Sequence, residues 1–113
     1  MKIERYAFGR ITIGGRVFTT DVIILPDRVF SPWWRREGHR LSVDDLPEAI
    51  AANPEIILIG TGYYASMKVP AEVMKTLTKR GIDVRVMTTA DAAEAFNGLQ
   101  PDRHVVACLH LSC

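Results

Sequence analysis

The chain has 113 residues, 48% of them hydrophobic and 24% charged, enough for one domain that buries a core without disulfide staples. Lys and Arg number 14 against 13 Asp and Glu, so the formal net charge of +1 implies no bulk pull toward nucleic acid or anionic membrane. The longest aliphatic runs, Val22–Leu25 and Ile56–Ile59, are far shorter than the roughly 20 residues that cross a bilayer.

Strand-like sequence starts at once. Ile3–Phe8 leads to Ile11-Thr12-Ile13, then Gly14-Gly15, then Val17-Phe18; a Gly-Gly pair between β-rich runs signals a two-residue hairpin. Asp21–Leu25 continues as strand until Pro26-Asp27 turns it, and Arg28–Ser31 begins another. The first half is therefore expected to be an antiparallel meander. With a strand opening the chain, neither a signal peptide nor a transit segment is expected.

The second half alternates helix and strand. A helix is expected over Asp45–Ala52, with Leu46, Ala49 and Ile50 on one face. Because Pro47 fits only a first turn, Asp44 or Asp45 is preferred over Ser42 as its cap, and Asn53-Pro54 ends it. Ile56–Ile59 reads as a strand buried on both faces. Pro70 opens a second helix with Val73, Met74 and Leu77 inward and Gly81 as its stop. Ile82–Met87 is the next strand. Thr88 or Thr89 caps a third helix over Ala90–Phe96, closed by Asn97-Gly98, and Val105–Leu111 is the last strand. The expected fold is a mixed α/β domain over 1–113, a meander packed beside a three-stranded parallel α/β unit.

Ligands in such folds gather at the carboxyl ends of parallel strands, which puts the first candidate site at Gly60-Thr61-Gly62-Tyr63. Gly60–Ala65 matches the dinucleotide fingerprint G-x-G-x-x-A in form only. No helix opens on its glycines, and Met87-Thr88-Thr89 stand where a ribose-binding acid belongs. A looser reading keeps the N–H groups of Gly60–Tyr63 as a nest for a small anion or carboxylate, joined by the cationic side chains of Arg35 and His39. The bland reading is a turn that needs glycine for close packing.

Trp33-Trp34-Arg35-Arg36 combines aromatic and arginine side chains, the composition of protein-interaction hot spots. One tryptophan is expected in the core and the other outside. Trp33, Trp34, Arg36 and Tyr64 are the candidate protein-contact residues. His104, Cys108 and His110 share one strand parity, but ligands two apart on a strand are too splayed for tetrahedral zinc, and no metal or other cofactor is expected. Cys108 and Cys113, five apart, are expected as reduced thiols on opposite faces of one strand, with Cys108 packed as a small hydrophobe. No acid is positioned by sequence beside either cysteine, and no nucleophile elbow is present. The pattern points away from an enzyme, and no catalytic residue is assigned.

Phe8-Gly9, Asp21–Ile24, Trp34-Arg35, Gly38-His39, Pro54-Glu55, Ile59–Gly62 and the ending Leu109–Cys113 occur in one order. With these the chain resembles the Mth-type conserved domain family. Its relatives include an adipogenesis-associated Mth-domain protein and a mitochondrial assembly factor for respiratory complex I. The resemblance covers essentially the whole chain. It implies a three-layer β/α fold and supplies no catalytic residues. The assembly-factor branch implies a non-catalytic role with protein partners, the subunits or other assembly factors of a membrane-bound dehydrogenase. The Trp33-Trp34-Arg35 form suits a bacterial member, for which the equivalent compartment is the cytoplasm. The expectation is thus a cytoplasmic protein-interaction module, with self-association open and neither nucleic acid nor a membrane span involved. The alternative is a small-anion or metabolite binder, or a minor enzyme, using the Gly60–Tyr63 turn.

Overall fold

A computed structural model describes residues 1–113. Three strands, β1 (Ile3–Ala7), β2 (Arg10–Ile13) and β3 (Arg16–Phe18), form a small antiparallel sheet. Gly14 and Gly15 make the β2–β3 turn with φ of 55° and 80°, the conformation of a two-residue hairpin. The next two strands, β4 (Val22–Ile24) and β5 (Val29–Phe30), do not extend this sheet. The expected meander is split at this point. All three β4 residues are fully buried, so the strand is driven between two layers rather than onto a half-solvated edge.

The chain then runs through a 3-10 turn (Val43–Asp45), α1 (Pro47–Ala51), β6 (Ile56–Gly60), α2 (Ala71–Lys79), β7 (Asp83–Met87), α3 (Thr89–Leu99) and β8 (Val105–Leu109). The second sheet has the order β5-β4-β8-β6-β7. Strand β6 lies parallel to both β7 and β8, whereas β4 pairs antiparallel with β8. Strand β6 is an interior strand next to the central β8, covered on both faces, and every residue of both is buried.

Alternation along these strands separates two cores. Val22, Ile24, Ile56, Leu58, Ala107 and Leu109 face α3 (Ala92, Phe96) and the small sheet (Ile3, Ile11, Ile13). Ile23, Ile57, Ile59, Val106 and Cys108 face the opposite side, where α1 and α2 contribute Ala49, Val73 and Leu77, and the loops contribute Trp33 and Met67. The result is three layers about a central mixed sheet, the expected fold class.

Several local expectations are corrected. The helix expected over Asp45–Ala52 is two pieces. Ser42 rather than Asp44 or Asp45 caps the first, its side chain accepting from Asp44 N–H while the Asp45 carboxylate accepts from Ser42 N–H at 2.8 Å. Pro47 then sits at the start of a separate α1, where its missing N–H costs nothing. The third helix runs through Asn97-Gly98 to Leu99, because the Asn97 side chain is used to clasp both Ile3 N–H and Ile3 C=O rather than to end the helix. Strand β8 stops at Leu109, so Cys113 lies in a tail and not on the strand that carries Cys108. Trp33 and Trp34 lie in a loop and divide as expected. Trp33 is buried and donates its indole N–H to Asp45 C=O at 2.9 Å, while Trp34 is 78% exposed.

Candidate functional site

The carboxyl ends of β6 and β8 come together under the N-terminus of α3, and the chain's last residues cross this end. Gly60 is the residue that fits there. A Cβ on it would meet Thr89 Oγ1 at 2.8 Å and Leu109 Cδ2 at 2.9 Å. Gly62 has φ +110°, and a Cβ on it would stand 2.5 Å from the Cys113 carbonyl carbon and 2.6 Å from Ser112 O. The two glycines admit the helix on one side and the tail on the other.

The turn's donors are spent on this packing. Thr61 N–H donates to Met87 O, Gly62 N–H to Thr89 Oγ1, Tyr63 N–H to Ser112 O and Tyr64 N–H to Cys113 O. Within the nest expected at Gly60–Tyr63, the Thr61, Gly62 and Tyr63 N–H groups are therefore taken by β7, by Thr89 and by the tail in turn, and are not aimed at solvent. The close-packing reading of the glycines describes the geometry.

A polar cluster lies beside the turn. The Asp21 carboxylate, just before β4, accepts from Leu111 N–H at 2.8 Å through one oxygen. Its other oxygen accepts from Arg35 Nη2 at 2.7 Å and meets His110 Nδ1 at 2.8 Å. Burial pushes this carboxyl upward, but the bonds from His110, Leu111 N–H and Arg35 outweigh it and hold Asp21 below the usual carboxylate range. Arg35, its side chain only 4% exposed, also donates to Gly38 C=O and lies over the Trp33 ring, 4.6 Å from its centroid. The exposed His39 ring stands edge-on to His110 at 5.6 Å, and His39 C=O accepts from Lys68 N–H. Thr89 Oγ1 in turn donates to His110 C=O.

Arg35, His39 and the Gly60–Tyr63 turn are thus brought to one end of the sheet, linked through Thr89, His110 and Asp21. Arg35 spends Nε and Nη2 on Asp21 and Gly38, while its Nη1, like His110 Nε2, is buried with no hydrogen-bond partner. Asp21 and His110 have the form of an acid–base pair, but the thiol two residues before His110 cannot serve it. Cys108 is fully buried, and desolvation pushes its thiol up to about 12, so it stays protonated at neutral pH. Arg36 lies apart in an exposed pair with Asp44 and lines a groove of about 420 Å³ between the Arg36–Ser42 loop and the start of α2.

An aromatic patch covers the same end of the molecule. Phe8, at the tip of the β1–β2 turn, Tyr63 and Tyr64 are 51%, 48% and 71% exposed. Their rings meet in edge-on and tilted pairs, Phe8–Tyr63 at 5.8 Å, Phe8–Tyr64 at 6.1 Å and Tyr63–Tyr64 at 5.0 Å. Tyr6 supports it from below, its ring 6.3 Å from Tyr63 and its hydroxyl donating to Leu111 C=O at 2.7 Å. Sequence reasoning placed Tyr63 and Tyr64 here but missed Phe8 and Asp21. Both come from the first half of the chain, and their places become visible only once β4 is paired with β8 and the small sheet is set against the tail.

The model of a family described as protein of unknown function (DUF498/DUF598) matches residues 3–110. NADH dehydrogenase [ubiquinone] 1 alpha subcomplex assembly factor 3 of Danio rerio is 30% identical over 108 residues, which cover 93% of this chain and 60% of that protein. A 13 kDa major membrane protein of Francisella tularensis is 37% identical over 60 residues, 53% of this chain and 48% of that protein. The chain thus matches less than two thirds of the length of either relative. Among solved structures, a conserved hypothetical protein from Pyrococcus horikoshii superposes with a TM-score of 0.85 at 26% identity, each chain fully covered. A Mth938-like domain from Bordetella pertussis gives a TM-score of 0.76 at 23% identity, covering 97% of this chain and 85% of that one, a likeness of fold. The chain belongs to the DUF498/DUF598 family and has its Mth938-like fold.

Proposed function

We propose that the protein is a non-catalytic interaction module, acting in the cytoplasm of a bacterium, that assists assembly of respiratory NADH dehydrogenase. The observation that carries this reading is the Phe8–Tyr63–Tyr64 patch, three large aromatic side chains left exposed together on a backbone pinned by the chain's own tail. Rigid aromatic anchors are what protein-interaction hot spots are made of, and a pinned backbone lowers the ordering cost of binding. Exposed Trp34 and Arg36 supply further contacts of the same kind. The similarity to the Danio rerio assembly factor directs the choice of partner toward subunits or other assembly factors of the same dehydrogenase.

An anion- or metabolite-binding role at the Gly60–Tyr63 turn has less support, because the N–H groups of Thr61, Gly62 and Tyr63 are already bonded within the chain and the Arg35 charge is matched by Asp21. Affinity capture from the native host tests the proposal. Subunits of the respiratory dehydrogenase are expected with the wild-type chain and depleted with a Phe8→Ala/Tyr64→Ala double variant. Equal recovery with both chains would remove the patch from the account.

A further inference from the structure

The net charge of +1 is unevenly spread. Residues 1–18 hold Lys2, Arg5, Arg10 and Arg16 against Glu4 alone, whereas the rest of the chain has an excess of two acids. Glu4 is occupied, both carboxylate oxygens accepting from Gly15 N–H in the β2–β3 turn at 3.0–3.1 Å. Of the ten cations after residue 18, five arginines, at 28, 35, 36, 85 and 103, are paired with carboxylates; none of the four within residues 1–18 is.

The register places two of these cations side by side. Ala7 pairs with Arg10 and Arg5 with Thr12, which in turn pairs with Val17. Since Ile11 and Ile13 face the core, Arg5, Ala7, Arg10, Thr12 and Val17 share the outer face of the sheet. Ala7 and Thr12 are small, and between the two arginines they leave a shallow slot of about 340 Å³ with no acidic residue lining it.

We infer that this outer face is a peripheral docking surface for an anionic phospholipid bilayer, with Arg5 and Arg10 forking onto the phosphodiester headgroups. Guanidinium groups match phosphate geometry, and two of them across a shallow slot suit a planar array of headgroups. An acidic protein segment would be expected to find pockets for its side chains, whereas the slot on this face is shallow and lined by Arg5, Ala7, Arg10 and Thr12 alone. The chain has no helix long and apolar enough to cross a membrane, so binding of this kind is surface attachment. The inference does not depend on the assembly role.

Vesicle co-sedimentation tests it. The wild-type chain should partition onto vesicles in which a third of the phosphatidylcholine is replaced by phosphatidylglycerol, and not onto phosphatidylcholine alone. Rising salt should release it, as screening requires. A cation near an anionic surface contributes about 1 kcal/mol, so Arg5→Ala and Arg10→Ala should each lower the partition coefficient about fivefold and the double variant about 25-fold. Neither side chain makes an ion pair, so melting should be unchanged, and Lys75→Glu on α2 should bind as wild type. Equal sedimentation with both vesicle types, no binding at low salt, an unaffected double variant, or an equal loss in Lys75→Glu would each overturn the inference. Tighter binding to soluble polyglutamate than to the vesicles would assign the face to an acidic protein instead.

Discussion

Asp21 Oδ2 meets His110 Nδ1 at 2.8 Å although 89 positions separate the two residues in the chain. With Arg35 and Leu111 N–H on the same carboxylate, this contact ties the start of β4, the end of β8 and the Trp33–Arg40 loop into one joint. The tail beyond it supports the tyrosine turn. The joint is therefore structural support for the aromatic patch.

Asp21→Asn should destabilise the protein by about 3 kcal/mol, because it leaves the buried Arg35 guanidinium without its counter-charge. The pH dependence has a fixed sign. The folded Asp21 has a lowered pKa, so its contribution is fully present above the unfolded value of about 3.9 and is lost as pH falls through the folded value. Melting curves from neutral to acid pH check this. Wild type should lose its advantage over Asp21→Asn below about pH 4, and a constant gap between the two would exclude the linkage.

Gly62→Ala should be destabilising by about 1–3 kcal/mol, from the positive φ and from contact with the tail backbone. The tail cannot move without giving up its bonds to Tyr63, Tyr64 and Ser66 N–H. Chemical denaturation measures the cost. The contrasting expectation, that a substitution at Gly62 leaves melting unchanged, belongs to the anion-nest reading.

The elements of the second half were legible in the sequence because each is announced locally. Ile56–Ile59 is continuous in aliphatic residues, Pro70 and Gly81 bracket α2, and Thr88 caps α3. The site was legible only in part. Gly60 and Gly62 are conspicuous, but their purpose depends on Thr89, Ser112 and Cys113, which approach only in the folded chain. Asp21 was read as the start of a meander strand, and no local signal tells that β4 joins β8. Asn97-Gly98 carries a helix-stop signal that a tertiary contact to Ile3 overrides.

The two cysteines should differ sharply in reactivity. Cys113 is exposed and Cys108 fully buried with its thiol pushed up to about 12. A thiol-specific reagent should therefore titrate one cysteine per native chain at neutral pH and both in denaturant. Two fast thiols in the native protein would mean that the Ile23–Trp33–Cys108 core opens readily.

Ile57→Asp should abolish folding. Its side chain is fully buried on an interior strand, and an unpaired carboxylate there costs several kcal/mol against a total stability of about 5–15 kcal/mol. A soluble variant with a cooperative melt would show that β6 is not central to the core.

Deleting the gene in the native host and following respiratory NADH dehydrogenase on native gels, with in-gel activity, tests the assembly role most directly. The account predicts reduced mature complex, restored by the wild-type chain but not by Phe8→Ala/Tyr64→Ala, although that variant melts as wild type. Fully assembled and fully active enzyme in the deletion strain would contradict it.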